Sequence, residues 1–149
     1  KAVIKENRAS LGTGVHPCET LTELAYKAIH VASPPVVIQP MLEKFREFRL
    51  VIVEDTILGM EKTRASGIFW NNKFLGGATK FITPSSQIIE FGEEMMRLGK
   101  FPWAYIDLFV ADDKTYLSEI NLSGSNRELK GYNLNNLKRQ MVERWQKNK

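Results

Sequence analysis

The run from Ala104 to Asn121, AYIDLFVADDKTYLSEIN, constrains this chain more than any other. Both arms are apolar and rich in β-formers, and Ala111-Asp112-Asp113-Lys114 between them is a turn signal. The pattern predicts a two-stranded antiparallel hairpin. A turn centred on Asp113 places Asp107 directly opposite Glu119, with Asn121 two residues further along the same face. Ile106, Leu108, Val110 and Ile120 then fall on the other face, where they can bury. Two carboxylates side by side on a sheet repel unless something cationic lies between them. Magnesium is the economical candidate, because it takes oxygen ligands and bridges a few carboxylates to phosphates. Taken alone, the hairpin favours the plainer reading of both acids as solvent-facing strand residues. The rest of the chain shifts that balance.

A length of 149 residues allows one compact unit or two small lobes around a sizeable core. Hydrophobic content of 43% and charged content of 26% fit a soluble globular protein. The net charge of +4 is mild, and a nucleic-acid binder would more often show clustered Lys and Arg with aromatics between them. Their main concentration, Lys138, Arg139, Arg144, Lys147 and Lys149, reads as the solvated face of a last helix. The single cysteine, Cys18, excludes an internal disulfide framework and fits a reducing, cytoplasmic setting. Only His16 stands near it as a partner, so a packed residue is expected rather than a nucleophile. The sequence has no signal peptide and no apolar run long enough to span a membrane. It opens at Lys1 inside a strand pattern, as a fragment of a longer protein would.

The element pattern is mixed. Strands are expected at 2–5 and 36–39, the latter of buried type, around a polar loop at 6–14 and a helix at 19–31. A second hairpin joins 46–53 to 56–62 around Glu54-Asp55, so that Arg49 pairs with Met60 and Arg49, Lys62 and Arg64 share a face. A short strand at 68–70, a loop at 71–81, a helix at 84–98 stopped by Gly99, and a final helix at about 134–146 complete the reading. The fold class is α+β, a mainly antiparallel sheet with flanking helices, because the strand–helix alternation of a doubly wound parallel sheet is missing.

Further parts suit phosphate. Lys5 ends the first strand, and Ser10, Gly12 and Gly14 follow in a loop whose backbone N–H groups can form an anion-binding concavity. The loop is neither a Walker A nor a dinucleotide fingerprint. Arg49 and Arg64 follow, then Asn72 ahead of Gly76-Gly77. Singly, each has an ordinary reading as a surface ion pair, a turn residue or a flexible loop. In this order, with Gln39 in Val-Ile-Gln-Pro-Met-Leu and Glu119-Ile-Asn121, they resemble the ATP-grasp ligases. The nearest branch holds glutathione synthetase and the ligases that add glutamate to a ribosomal protein. The resemblance spans nearly the whole chain and is most specific from Arg49 to Asn121. Pro40 departs from it, standing where an acidic residue is frequent.

The resemblance implies an incomplete ATP-grasp fold, with residues 1–42 part of a small nucleotide-binding lobe and 43–149 a C-terminal lobe bearing the metal site. Lys5 would touch the phosphates or the adenine side, Ser10, Gly12 and Gly14 would cover the β and γ phosphates, and Gln39, Met41 and Leu42 would line the adenine pocket. Arg64 and Asn72 would hold the transferred phosphoryl group. Asp107, Glu119 and Asn121 would hold magnesium, with manganese as the alternative ion. Arg49 would either meet a substrate carboxylate or brace the hairpin. The implied chemistry joins a small-molecule or peptide carboxylate to an amine (or a thiol) through an acyl phosphate. Two other readings are a non-catalytic ATP-binding fragment and, ranked last, a basic RNA-docking module. Neither the substrates nor the oligomeric state follows from the sequence.

Overall fold

The computed structural model describes residues 1–7, 14–63, 77–124, 129 and 131–147. They divide into two compact units, one built on residues 1–44 and the other on 45–63 and 78–147.

In the first unit, β1 (Ala2–Glu6) is the centre of an antiparallel sheet, with β2 (Val15–Cys18) on one side and β3 (Val36–Pro40) on the other. The sequence reading left β2 unassigned, since Val-His-Pro-Cys carries a proline that cannot donate to a ladder. An edge position accommodates it. Ile4, Cys18 and Ala32 form the core, packed by Leu24 and Ala28 of α1 (Leu21–His30). That helix starts two residues later than its apolar spacing suggests, because Thr20 caps it. Thr20 Oγ1 accepts from the Glu23 N–H at 3.1 Å, and the Glu23 carboxylate accepts from the Glu19 N–H at 2.8 Å. β3 was expected to be buried, yet Val37 and Ile38 are 51% and 53% exposed. It lies at the sheet's edge, so its apolar composition does not mean burial.

The second unit is a five-stranded antiparallel sheet in the order β6-β5-β4-β7-β8. Its strands are β4 (Arg46–Val53), β5 (Thr56–Thr63), β6 (Ala78–Ile82), β7 (Trp103–Ala111) and β8 (Lys114–Asn121). The 71–81 stretch was expected to be loop throughout, but β6 pairs along β5 from Ala78 to Ile82. Five residues next to glycines carry too little local pattern to announce a strand. The expected strand at 68–70 lies outside the described residues.

One sheet face packs Phe48, Leu50, Ile52, Ala104, Ile106 and Leu108 against Ile88 and Phe91 of α2 (Ser86–Gly99). Each of these side chains larger than alanine contributes roughly 1.5–3 kcal/mol by leaving water. Gly92 lets α2 seat closely, since an added Cβ would come within 2.5 Å of Leu50 Cδ1. The other face packs Val51, Val53, Leu58, Met60 and Tyr105 against Leu129 and against Leu134 of α3 (Leu134–Lys147).

α2 ends one residue beyond the expected stop. Gly99 is still helical, and a side chain there would run into the Phe101 ring. The left-handed position falls instead on Lys100, with φ 50°. An L-residue there is strained by roughly 1–2 kcal/mol. Lys100→Gly is therefore expected to stabilise the protein by about 1 kcal/mol, read as a raised thermal midpoint.

Candidate functional site

Antiparallel register lines up Met60, Arg49, Asp107 and Glu119 across β5, β4, β7 and β8, all on the α3 side of the sheet. A neighbouring row carries Lys62, Glu47 and Phe109, and the row on the other side carries Leu58, Val51, Tyr105 and Asn121. The Arg49–Met60 pairing expected from a two-residue turn at Glu54-Asp55 is present.

Asp107 and Glu119 do stand opposite each other, but not through the turn that the sequence suggested. The turn is the two-residue Asp112-Asp113, with φ of 48° and 57°, closing Ala111 against Lys114. That register runs to Leu108 opposite Leu117 and would set Asp107 against Ser118. A bulge between Asp107 and Leu108 absorbs the extra residue and restores Glu119 to the Asp107 face.

The electrostatics centre on Asp107, the one charged side chain buried in the described core, at 5% exposure. Arg49 grips it in a fork, Nε to Oδ1 and Nη2 to Oδ2, both at 2.7 Å. Lys62 Nζ donates to Oδ2 at 2.7 Å and to Glu47 Oε1 at 2.9 Å. Burial pushes the Asp107 carboxyl up, but hydrogen bonds and charge from Arg49 and Lys62 outweigh it and hold it below the usual carboxylate value. Burial likewise opposes the Arg49 charge, while the carboxylates of Asp107, Glu119 and Glu47 keep the guanidinium above its ordinary value. The cation demanded by two neighbouring acids is thus supplied in part by the protein itself. In this geometry Arg49 links β4 to β7 through Asp107.

The donor chemistry suits a hard ion on the β8 side. Glu119 is exposed and Asn121 half-buried, two residues apart on the same face. One or two carboxylates with phosphate and water oxygens is a usual magnesium environment. Both Asp107 oxygens are already engaged by cations, which makes it the anchor of the row. Among the described residues, no three His, Cys, Asp or Glu side chains converge on a metal-sized site.

In the first unit, Lys5 and Gln39 share the sheet face opposite Ile4, Lys5 facing Val37 and Gln39 facing Val3. The Gly14 carbonyl accepts from the Glu6 N–H at 2.8 Å, and the Met41 N–H donates to the Lys1 carbonyl at 3.2 Å, with Leu42 next to it half-buried. Ser10, Gly12, Arg64 and Asn72 lie outside the described residues. The sequence reading put Lys62 on the right face without a role; with Glu47 it belongs to the Asp107 cluster. Their link to Asp107 needs β4, β5 and β7 side by side. A depression of about 490 Å3, lined by Ile57, Leu58, Phe81, Pro84 and Tyr132 among others, includes none of these residues.

Arg144 pairs with Glu54, Arg139 lies 3.8 Å from Glu143, and Lys138 sits over Trp103 and Tyr105. Among the described residues no helix is long and apolar enough to cross a membrane.

This architecture is that of the ATP-grasp ligases. D-alanine–D-alanine ligase from Bacillus anthracis matches with a TM-score of 0.70 and 20% identity, over 95% of this chain and 53% of that one. The ATP-grasp ligase PsnB, solved with the precursor peptide PsnA2 and AMPPNP, matches with a TM-score of 0.68 and 16% identity, over 95% and 45%. The macrocyclase MdnC from Microcystis aeruginosa MRC, bound with precursor peptide MdnA, matches at 0.62 and 18%, over 95% and 48%. The chain belongs to the RimK-like ATP-grasp domain family, whose model matches residues 1–145. It spans about half the length of these solved ligases. No curated protein sequence matches it.

Proposed function

We propose that the chain serves an ATP- and magnesium-dependent ligase that joins a small-molecule or peptide carboxylate to an amine. The observation that carries this reading is the Arg49–Asp107–Glu119 row with Asn121 beside it, set in an ATP-grasp domain. The carboxylate takes the γ-phosphoryl group of ATP, releasing ADP. The amine nitrogen then attacks the acyl phosphate, forming the amide and releasing phosphate and a proton. Such transfer needs positioning and charge neutralisation more than a protein nucleophile. Magnesium, when bound, supplies that neutralisation, and Glu119 and Asn121 would hold it. Asp107 and Arg49 keep β7 and β4 in register beneath those donors. Arg64 and Asn72 are assigned to the transferred phosphoryl group, and Lys5 and Gln39 to the nucleotide, with the Ser10–Gly14 loop over its phosphates and Met41 and Leu42 at its base.

Calorimetry with ATP, with and without magnesium, tests this beside an assay of ADP release with amino acids and dipeptides. Magnesium-dependent ATP binding is expected, with ADP released only when carboxylate and amine are both present. Binding without release favours a nucleotide-binding unit that does not turn over, a reading supported by the half-length match to the solved ligases. Absence of ATP binding in the presence of magnesium sinks both.

A further inference from the structure

The charged sheet face continues one row beyond Asp107 and Glu119, to Tyr105 opposite Asn121, and there α3 lays a cation on it. Lys138 Nζ lies 4.8 Å from the Tyr105 ring centroid and 5.1 Å from that of Trp103, with the Tyr105 hydroxyl at 3.5 Å. Both rings are held in place. The Trp103 indole N–H donates to the Leu122 carbonyl at 2.7 Å. The Tyr105 ring lies against Gly124, where an added Cβ would come within 2.8 Å of it. Both restraints belong to the segment that directly follows Asn121. The ammonium is therefore seated on rings at and next to the row that Asn121 shares, whereas the neighbouring Arg139 side chain is 72% exposed.

Aromatic faces take up the charge of an ammonium without consuming its N–H donors. With one N–H given to the Tyr105 hydroxyl, a lysine seated in this way has further N–H donors to offer. Burial also holds the Lys138 amine below the usual lysine value.

We propose that Lys138, on its Trp103–Tyr105 platform, forms an anion subsite that takes a phosphoryl or carboxylate oxygen of a ligand meeting Glu119 and Asn121. Only the choice of ligand rests on the ATP-dependent ligase reading. The rival role is a strut fastening α3 to the sheet, which predicts lost stability with unchanged ligand affinity.

Calorimetric titration of the chain and its Lys138→Met form with Mg-ATP, Mg-ADP, inorganic phosphate and glutamate decides between them. The original chain is expected to bind at least one probe. Lys138→Met should weaken that binding roughly tenfold or more, as expected for losing a charge-assisted hydrogen bond. Lys138→Arg should restore most of the affinity, and the melting midpoint of Lys138→Met should stay close to the original. Loss confined to the phosphate probes assigns the subsite to the nucleotide, and loss confined to glutamate assigns it to a carboxylate substrate. Mg-ATP binding that ignores Lys138→Met, with every other probe also unaffected, removes the subsite and leaves the ligase reading standing. Glutamate binding that depends on Lys138, in a chain that ignores Mg-ATP, keeps the subsite and removes the ATP reading. A chain that binds none of the probes overturns the proposal. Should Lys138→Met fail to fold, Lys138→Gln is titrated in the same way, with the same outcomes.

Discussion

Asp107→Asn is expected to destabilise the protein by about 3 kcal/mol, the low end for removing one partner of a buried ion pair. The substitution keeps the shape but strands the Arg49 guanidinium, whose side chain is 26% exposed, against an amide. Lys62 retains Glu47, and Arg49 keeps some access to water, which is why the low end applies. For a chain of this size the loss corresponds to roughly 6–12 °C in the thermal midpoint. A drop below about 1 kcal/mol would mean that the cluster is solvated and that Asp107 does not anchor it. Replacing Arg49 and Asp107 together by apolar residues should recover part of the loss, since no charge is then left unpaired.

The same residue sets a pH dependence whose sign follows from its lowered carboxyl value. Below the unfolded aspartate value of about 3.9, the unfolded chain binds the proton more readily than the folded one. The Asp107 contribution is therefore complete above that value and is lost as pH falls through the folded one. Chemical denaturation between about pH 2 and 6 should show a shallower acid limb in Asp107→Asn than in the original chain.

Glu119→Gln separates ligand from fold. Glu119 is exposed on the edge strand β8, and among the described residues it makes no ion pair within 4 Å, so its loss should leave the circular dichroism spectrum and the melting curve nearly unchanged. The amide keeps an oxygen but loses the charge that a hard divalent ion requires. Magnesium-dependent ATP affinity should fall by on the order of 100-fold, the upper end of what disturbing a metal's surroundings does. Unchanged ATP affinity in this variant contradicts the metal role of Glu119. The two variants are complementary, Asp107→Asn costing stability first and Glu119→Gln costing ligand first.

What was legible in the sequence follows distance along the chain. The β4–β5 turn and its Arg49–Met60 pairing could be counted out, because side chains alternate with period two away from any turn. The same alternation put Ile106, Leu108, Val110 and Ile120 on one face, where the first two are buried and the last two partly buried. The hairpin carrying Asp107 and Glu119 was harder, since an assumed turn centre and an unseen bulge at Ser118 led to the same pairing. Bulges have no reliable local signature, and only the folded register revealed this one. Strands β2 and β6 escaped notice because a proline in one and the shortness of the other hide them, and pairing with a neighbour is what makes them strands.

By itself the sequence determined which groups could act: hard oxygen donors two residues apart on β8, an arginine and a lysine on one face of β4–β5, and a family-specific order of residues along the chain. Tertiary structure decided what those groups meet. Arg49 and Asp107 are 58 residues apart, and β5, β6 and α2 intervene before β7 returns to pair with β4. That return is driven by burying apolar side chains on both faces of the sheet, which sequence spacing does not encode. It sets the candidate metal carboxylate Asp107 against the Arg49 guanidinium and brings Lys138, from the far end of the chain, over the row beside it.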